Sequence, residues 1–178
     1  RSPSKRRYDF PYWPAVVWDY ITKHEYRAIV LESGSMNVIG ESDGRIPQGT
    51  TYQCAHGNNL YLNTVVDWQP PEQYAVQFSF MLPKVIWLWT IKLSPTGEGS
   101  RATMAFGRPN GLAIYLILDK LGWRLFGERM ARNSFLAGFQ RFEAKLKQEL
   151  RKSAHESRAS VEIAPDQVRD AMAESLQG

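Results

Sequence analysis

The chain predicts an α+β fold: a curved antiparallel sheet of about seven strands wrapped around a long C-terminal helix, with two short helices after the first strand. Three observations lead there. Helical spacing appears early and stops. A run of short, alternating, aromatic-rich segments cut by turn residues fills the middle. One long amphipathic stretch follows. No helical segment interrupts the strand run, so the strands pair as an antiparallel meander; a parallel crossover would need a helix between each pair. A bent sheet closed over a helical rod leaves a hollow.

The elements follow in order. Arg6 to Phe10 reads as a short strand ended by Pro11 and Pro14. From Ala15, residues Val16, Val17, Tyr20 and Ile21 recur at helical spacing, and Pro14 suits the first turn of that helix. Glu25 to Leu31 forms the second helical piece. The period then changes to two. Ser35 to Glu41 is a strand, and Asp43-Gly44 a turn. Gly49 to His56 places Tyr52, Cys54 and His56 on one face. After Gly57-Asn58-Asn59, Leu60, Leu62, Thr64, Val66 and Trp68 share a face of the next strand. Pro70-Pro71 ends it, since proline cannot donate to a ladder. Tyr74 to Leu82 alternates, with Tyr74, Val76, Phe78 and Phe80 together, and Pro83-Lys84 turns the chain. Val85 to Leu93 is apolar on both faces, with Trp87, Trp89 and Ile91 on one. Beyond the Gly97-Glu98-Gly99 hairpin, Ser100 to Phe106 carries Ala102, Met104 and Phe106 on one side.

Helical spacing returns at Leu112 to Leu121, and Gly122 and Gly127 flank an irregularity. Arg129 to Lys152 shows Phe135, Leu136, Phe139, Phe142, Leu146 and Leu150 on one stripe. Its roughly 24 residues make a rod of about 36 Å, long enough to cross a sheet. The organisation is a basic leader or linker over 1–7, a domain over 8–152, and a polar tail over 153–178 in which Pro165-Asp166 could open a short helix.

Composition narrows the function classes. The net charge of +4 is concentrated in Arg1, Lys5, Arg6 and Arg7, so the rest of the chain is balanced. No base-reading motif accompanies that arm, which argues against nucleic acid as a partner. Cys54 is the single cysteine, so no intrachain disulfide forms and a cytoplasmic, reducing setting is expected. No apolar run reaches the roughly 18 residues of a spanning helix. Leu112 to Phe126 is the one membrane-relevant stretch; burial is the favoured reading over a lid that touches a membrane. The basic start reads like a junction, and the chain like one domain of a longer protein.

Several motifs together resemble the START-like (polyketide cyclase, SRPBCC) superfamily, whose architecture is the helix-grip fold. They are Val17-Trp18-Asp19-Tyr20-Ile21 after the first strand, Asp43-Gly44 followed by Gly49-Thr50-Thr51-Tyr52, Val66-Asp67-Trp68-Gln69-Pro70 at a strand end, and Ser100-Arg101-Ala102-Thr103 opening the last strand. The stretch Gly49 to Gly57 resembles a subgroup of bacterial domains attached to nucleotide-cyclase-like domains. The resemblance spans roughly Lys5 to Lys152. It implies an internal hydrophobic cavity for a lipid-like or aromatic ligand and regulation of an attached domain. A minority of the superfamily are cyclases or dehydratases.

The candidate ligand contacts are Tyr52, Cys54, His56, Phe78, Phe80, Trp87, Trp89, Met104, Phe106, Phe135, Phe139 and Phe142. Aromatics with a methionine suit an adaptable apolar pocket. The same side chains, at about 150–250 Å² each, could instead fill the core and leave a ligandless interaction domain. His56, Tyr52 and Gln77 are the candidate polar anchors. One cysteine and one histidine are too few for a closed zinc site. The spacing of Cys54 and His56, about 6–7 Å along an extended strand, places them out of mutual reach. No catalytic set, phosphate loop, metal box or cofactor motif is present in the sequence. The expected function is therefore binding without a cofactor. The second reading is a cyclase-like enzyme using a pocket histidine or tyrosine as acid or base.

Overall fold

The computed structural model describes residues 5–39, 46–56, 59–79 and 85–175. The turns expected at Asp43-Gly44, Gly57-Asn58 and Pro83-Lys84, and the side chain of Phe80, lie outside them. Seven strands form one antiparallel sheet: β1 (Lys5–Phe10), β2 (Ser35–Ile39), β3 (Thr51–His56), β4 (Asn59–Gln69), β5 (Gln73–Ser79), β6 (Ile86–Pro95) and β7 (Ser100–Phe106). Their order is β1-β7-β6-β5-β4-β3-β2, so β2 to β7 form the expected meander and β1 closes on β7. The helices are α1 (Pro14–Ile21), α2 (His24–Val30), α3 (Ala113–Gly122) and α4 (Glu128–Ser175). The irregularity between Gly122 and Gly127 is a π-helical turn over Trp123–Gly127.

The chain forms two compact units, Arg1–Phe142 and Glu143–Gly178. The second is the continuation of α4, where Lys145 and Glu149 pair at 2.8 Å across one helical turn. The helix expected over 129–152 continues unbroken to Ser175.

Local chemistry explains the elements. Pro14 stands in the first turn of α1, and Trp13 before it is extended, as a residue preceding proline prefers. That helix buries Val17, Trp18 and Ile21. Trp18 meets Trp68 of β4 at 4.9 Å and Tyr74 of β5 at 5.7 Å, which anchors α1 to the inner face of the sheet. The first turns of α4 cover the sheet near β1: Phe139 and Phe142 meet Phe10 edge-on at 5.7 and 5.6 Å. Gly138 lets α4 pass directly over the Val30 carbonyl that ends α2; a Cβ there would overlap that oxygen.

Strand β4 departs from simple alternation. Leu60, Leu62, Thr64, Val66 and Trp68 were expected to share one face, but Leu60 and Leu62 are 63% and 55% exposed, while Asn63 and Val65 are buried. A register shift between Val65 and Asp67 is the reason. One extra residue reverses the facing of the strand, so the odd positions point inward before the bulge and Trp68 points inward after it. Asp67 lies outside and accepts hydrogen bonds from the amides of Gln69 and Gln73.

Helix α3 is a second correction. Its apolar side chains were expected to be buried. Ile114, Ile117, Leu118 and Leu121 are instead exposed, because α3 lies at the surface and only the following turn reaches inward, through Trp123.

Candidate ligand pocket

A half-open pocket of about 440 Å³ lies between the sheet and the helices of the first unit. The end of α2 supplies Val30, Leu31 and Glu32. Strands β3 and β4 supply Cys54, His56, Asn59, Tyr61 and Asn63. Phe78, Trp89 and Phe106 enter from β5, β6 and β7. The π-helical turn contributes Trp123, and α4 contributes Ser134 and Phe135. Phe135 meets Trp89 and Phe106 at 6.4 Å each. Trp123 packs at a tilt against Phe106 at 5.0 Å and Trp87 at 4.7 Å. The wall is therefore rich in aromatic side chains, with a polar rim at one end.

Six of the candidate contacts line this pocket: Cys54, His56, Phe78, Trp89, Phe106 and Phe135. Tyr52, Trp87, Met104, Phe139 and Phe142 do not; they are buried in the packed core. The division follows from α4. Phe139 and Phe142 pack against Phe10 of β1, and the hollow lies beside the preceding turn of α4, which carries Phe135 and the small Ser134. Gln77, expected as an anchor, is not among the lining residues. The sequence reading missed Tyr61 and Asn63, because the bulge in β4 hid which side of that strand faces in. It also missed Glu32, at a helix end with no motif to mark it.

The polar end is a connected cluster. His56 Nε2 and Cys54 Sγ are 3.2 Å apart. Asn63 Nδ2 donates to the same sulfur at 3.2 Å and to the Tyr61 carbonyl at 3.1 Å. The expected separation of Cys54 and His56 is thus overturned. The spacing of 6–7 Å holds for the points where side chains leave the strand, and the imidazole is long enough to lean back along it. Burial pushes the Cys54 thiol above its ordinary value, against the hydrogen bond from Asn63. Burial pushes His56 below its ordinary value, with nearby Glu32 pulling the other way. Both shifts favour the neutral forms, a thiol beside an imidazole, over a thiolate–imidazolium couple. Glu32 is held below the usual carboxylate range by hydrogen bonds from Ser134 and Arg141. Its backbone takes φ of 52°, a left-handed conformation uncommon outside glycine, just past the end of α2, and the residue lines the pocket. Among the described residues no three His, Cys, Asp or Glu side chains gather as a metal-binding group.

Arg27 of α2 adjoins the pocket through Trp89 and is fully buried. Its guanidinium carbon stands 4.3 Å from the Tyr74 ring centre, 5.0 Å from Tyr52 and 5.1 Å from Trp89. Arg27 lies between the buried Tyr26 and Val30 on its helix.

No family model and no curated protein matches the chain. Solved structures do. Protein MLL2253 from Mesorhizobium loti superposes with a TM-score of 0.58 at 13% identity, covering 82% of this chain and 96% of that one. Protein NE0264 from Nitrosomonas europaea gives 0.56 at 16% identity, covering 83% and 96%. Ara h 8.0201 gives 0.53 at 15% identity, covering 82% and 97%. At these identities the likeness concerns architecture alone, and with the seven-strand antiparallel sheet and the long C-terminal helix it gives this chain the helix-grip α+β fold.

Proposed function

We propose that this chain is a binding module of the START-like superfamily for a small, mainly apolar ligand. The observation that carries the reading is the half-open aromatic pocket of about 440 Å³, inside the range of small-molecule sites. Removing apolar ligand surface from water supplies the binding energy, at roughly 25 cal/mol per Å². Cys54, His56 and Asn63 fix orientation at one end. The ligand leaves or enters beside the π-helical turn, and occupancy informs an attached domain through α4, which carries Ser134 and Phe135. The neutral thiol and imidazole favour binding over nucleophilic chemistry. Native mass spectrometry of the purified protein tests this. A bound apolar molecule that organic extraction removes, and that a Phe78→Ala, Phe135→Ala double variant retains less well, is the expected result. A chain that carries no adduct and takes up no hydrophobic probe would overturn it.

A further inference from the structure

Arg27 is the only charged side chain buried among the described residues. None of its three side-chain nitrogens has a hydrogen-bond partner, and the hydroxyls of Tyr52 and Tyr74 beside it are also buried and unpartnered. Three aromatic faces attract the guanidinium, yet they satisfy none of its five N–H donors. A buried charge without an acceptor is costly, and a buried donor without a partner is costly again. Five polar atoms therefore converge where, among the described residues, the two phenol oxygens are the nearest acceptors on offer for five guanidinium N–H donors. An anion would supply the acceptors this cluster lacks.

The neighbouring pocket shows what else that anion carries. Trp89 belongs to both: its ring lines the pocket and stands 5.1 Å from the guanidinium. The charge of Arg27 is also felt at Cys54 on the pocket wall. Among the described residues no Lys or Arg side chain lines the pocket. One guanidinium matches a monoanion; a phosphate monoester, with close to two charges, would remain half compensated. The planar fork of arginine fits a carboxylate in two-point contact.

We propose that Arg27, with the hydroxyls of Tyr52 and Tyr74, forms the head-group site for an apolar monocarboxylate whose body fills the aromatic pocket. The proposal rests on the pocket binding apolar molecules and adds the chemical class of the ligand. The carboxylate slides past Trp89, accepts from the guanidinium and the phenols, and leaves the apolar body against Phe78, Phe106 and Phe135.

Isothermal titration with decanoate, 1-decanol and acetate at neutral pH separates the possibilities. The wild-type chain should bind decanoate about tenfold or more tighter than 1-decanol, the gain expected of charged hydrogen bonds, and acetate far more weakly than either. Arg27→Met, similar in length and apolar, should bind both ten-carbon ligands at the alcohol's affinity. Arg27→Lys, a second variant that keeps the charge but not the fork, should retain only part of the preference. Equal binding of decanoate and decanol by the wild type would mean that water satisfies Arg27; the head-group site would then fall while the apolar pocket stands. An undiminished preference in either variant would place the head elsewhere. Acetate binding as tightly as decanoate would make this a plain anion site. Binding of none of the three would overturn the apolar-pocket reading as well.

Discussion

His56 Nε2 lies 3.2 Å from Cys54 Sγ, although the two residues are separated by a full strand repeat. Burial favours the neutral form of both groups, and this carries a measurable consequence. Burial holds the folded-state pKa of His56 below its ordinary 6.5. In the unfolded chain the imidazole takes up a proton near that ordinary value; in the folded chain it resists. The unfolded state therefore binds more protons below 6.5, and stability falls as pH drops through that point toward the folded value. His56→Gln removes the term. Thermal melts at pH 7.5 and 5.5 should show a larger loss for the wild type than for His56→Gln, and equal losses would contradict the buried neutral imidazole.

The thiol makes its own prediction. Cys54 is only 3% exposed, and its pKa is raised. The thiolate is the reactive form, so iodoacetamide at pH 7.5 should modify native Cys54 at least about tenfold more slowly than free cysteine. Asn63→Leu removes a hydrogen bond to the sulfur and should slow it further. Rapid alkylation would point to an activated nucleophile and revive the enzyme reading.

Periodicity made much of this architecture legible, because strand and helix spacings differ by nearly a factor of two and the changes at Ser35 and Leu112 are abrupt. Cys54, His56, Phe78 and Trp89 were legible as inward residues because β3 pairs with β2, and β5 with β6, without a register shift. Tyr61 and Asn63 were hidden by the bulge between Val65 and Asp67, which reverses β4 and leaves no mark in composition. Arg27 was hidden for a different reason: a lone arginine on a short helix normally reaches water, and only the convergence of Tyr52, Tyr74 and Trp89 from three strands buries it. Such convergence depends on long-range pairing.

Helix α3 offers a test by surface substitution. Ile117 and Leu121 are 64% and 55% exposed, so Ile117→Asn and Leu121→Asn should each change folding stability by no more than about 0.5 kcal/mol. Trp123, in the following turn, packs against Trp87 and Phe106, and Trp123→Ala should cost more than about 1 kcal/mol. Urea unfolding of the three variants distinguishes them. A large loss from either asparagine would mean that α3 is buried after all.

Gly138 carries the most pointed test of how α4 meets α2. Within a helix, replacing glycine by alanine ordinarily stabilises by about 0.5–1 kcal/mol, since alanine loses less backbone freedom on folding. Here the added Cβ would overlap the Val30 carbonyl oxygen, which is main chain at the end of α2 and cannot rotate away. Relief requires α4 to move off α2, and that movement would disturb Phe135 and Phe139, which sit three residues before and one after. The sign of the effect therefore reverses. Gly138→Ala should destabilise by about 1–3 kcal/mol, the usual cost of overpacking, and weaken binding of an apolar probe because Phe135 is part of the pocket wall. Chemical denaturation and probe titration on one preparation check both. A variant more stable than the wild type would show that the two helices do not approach this closely.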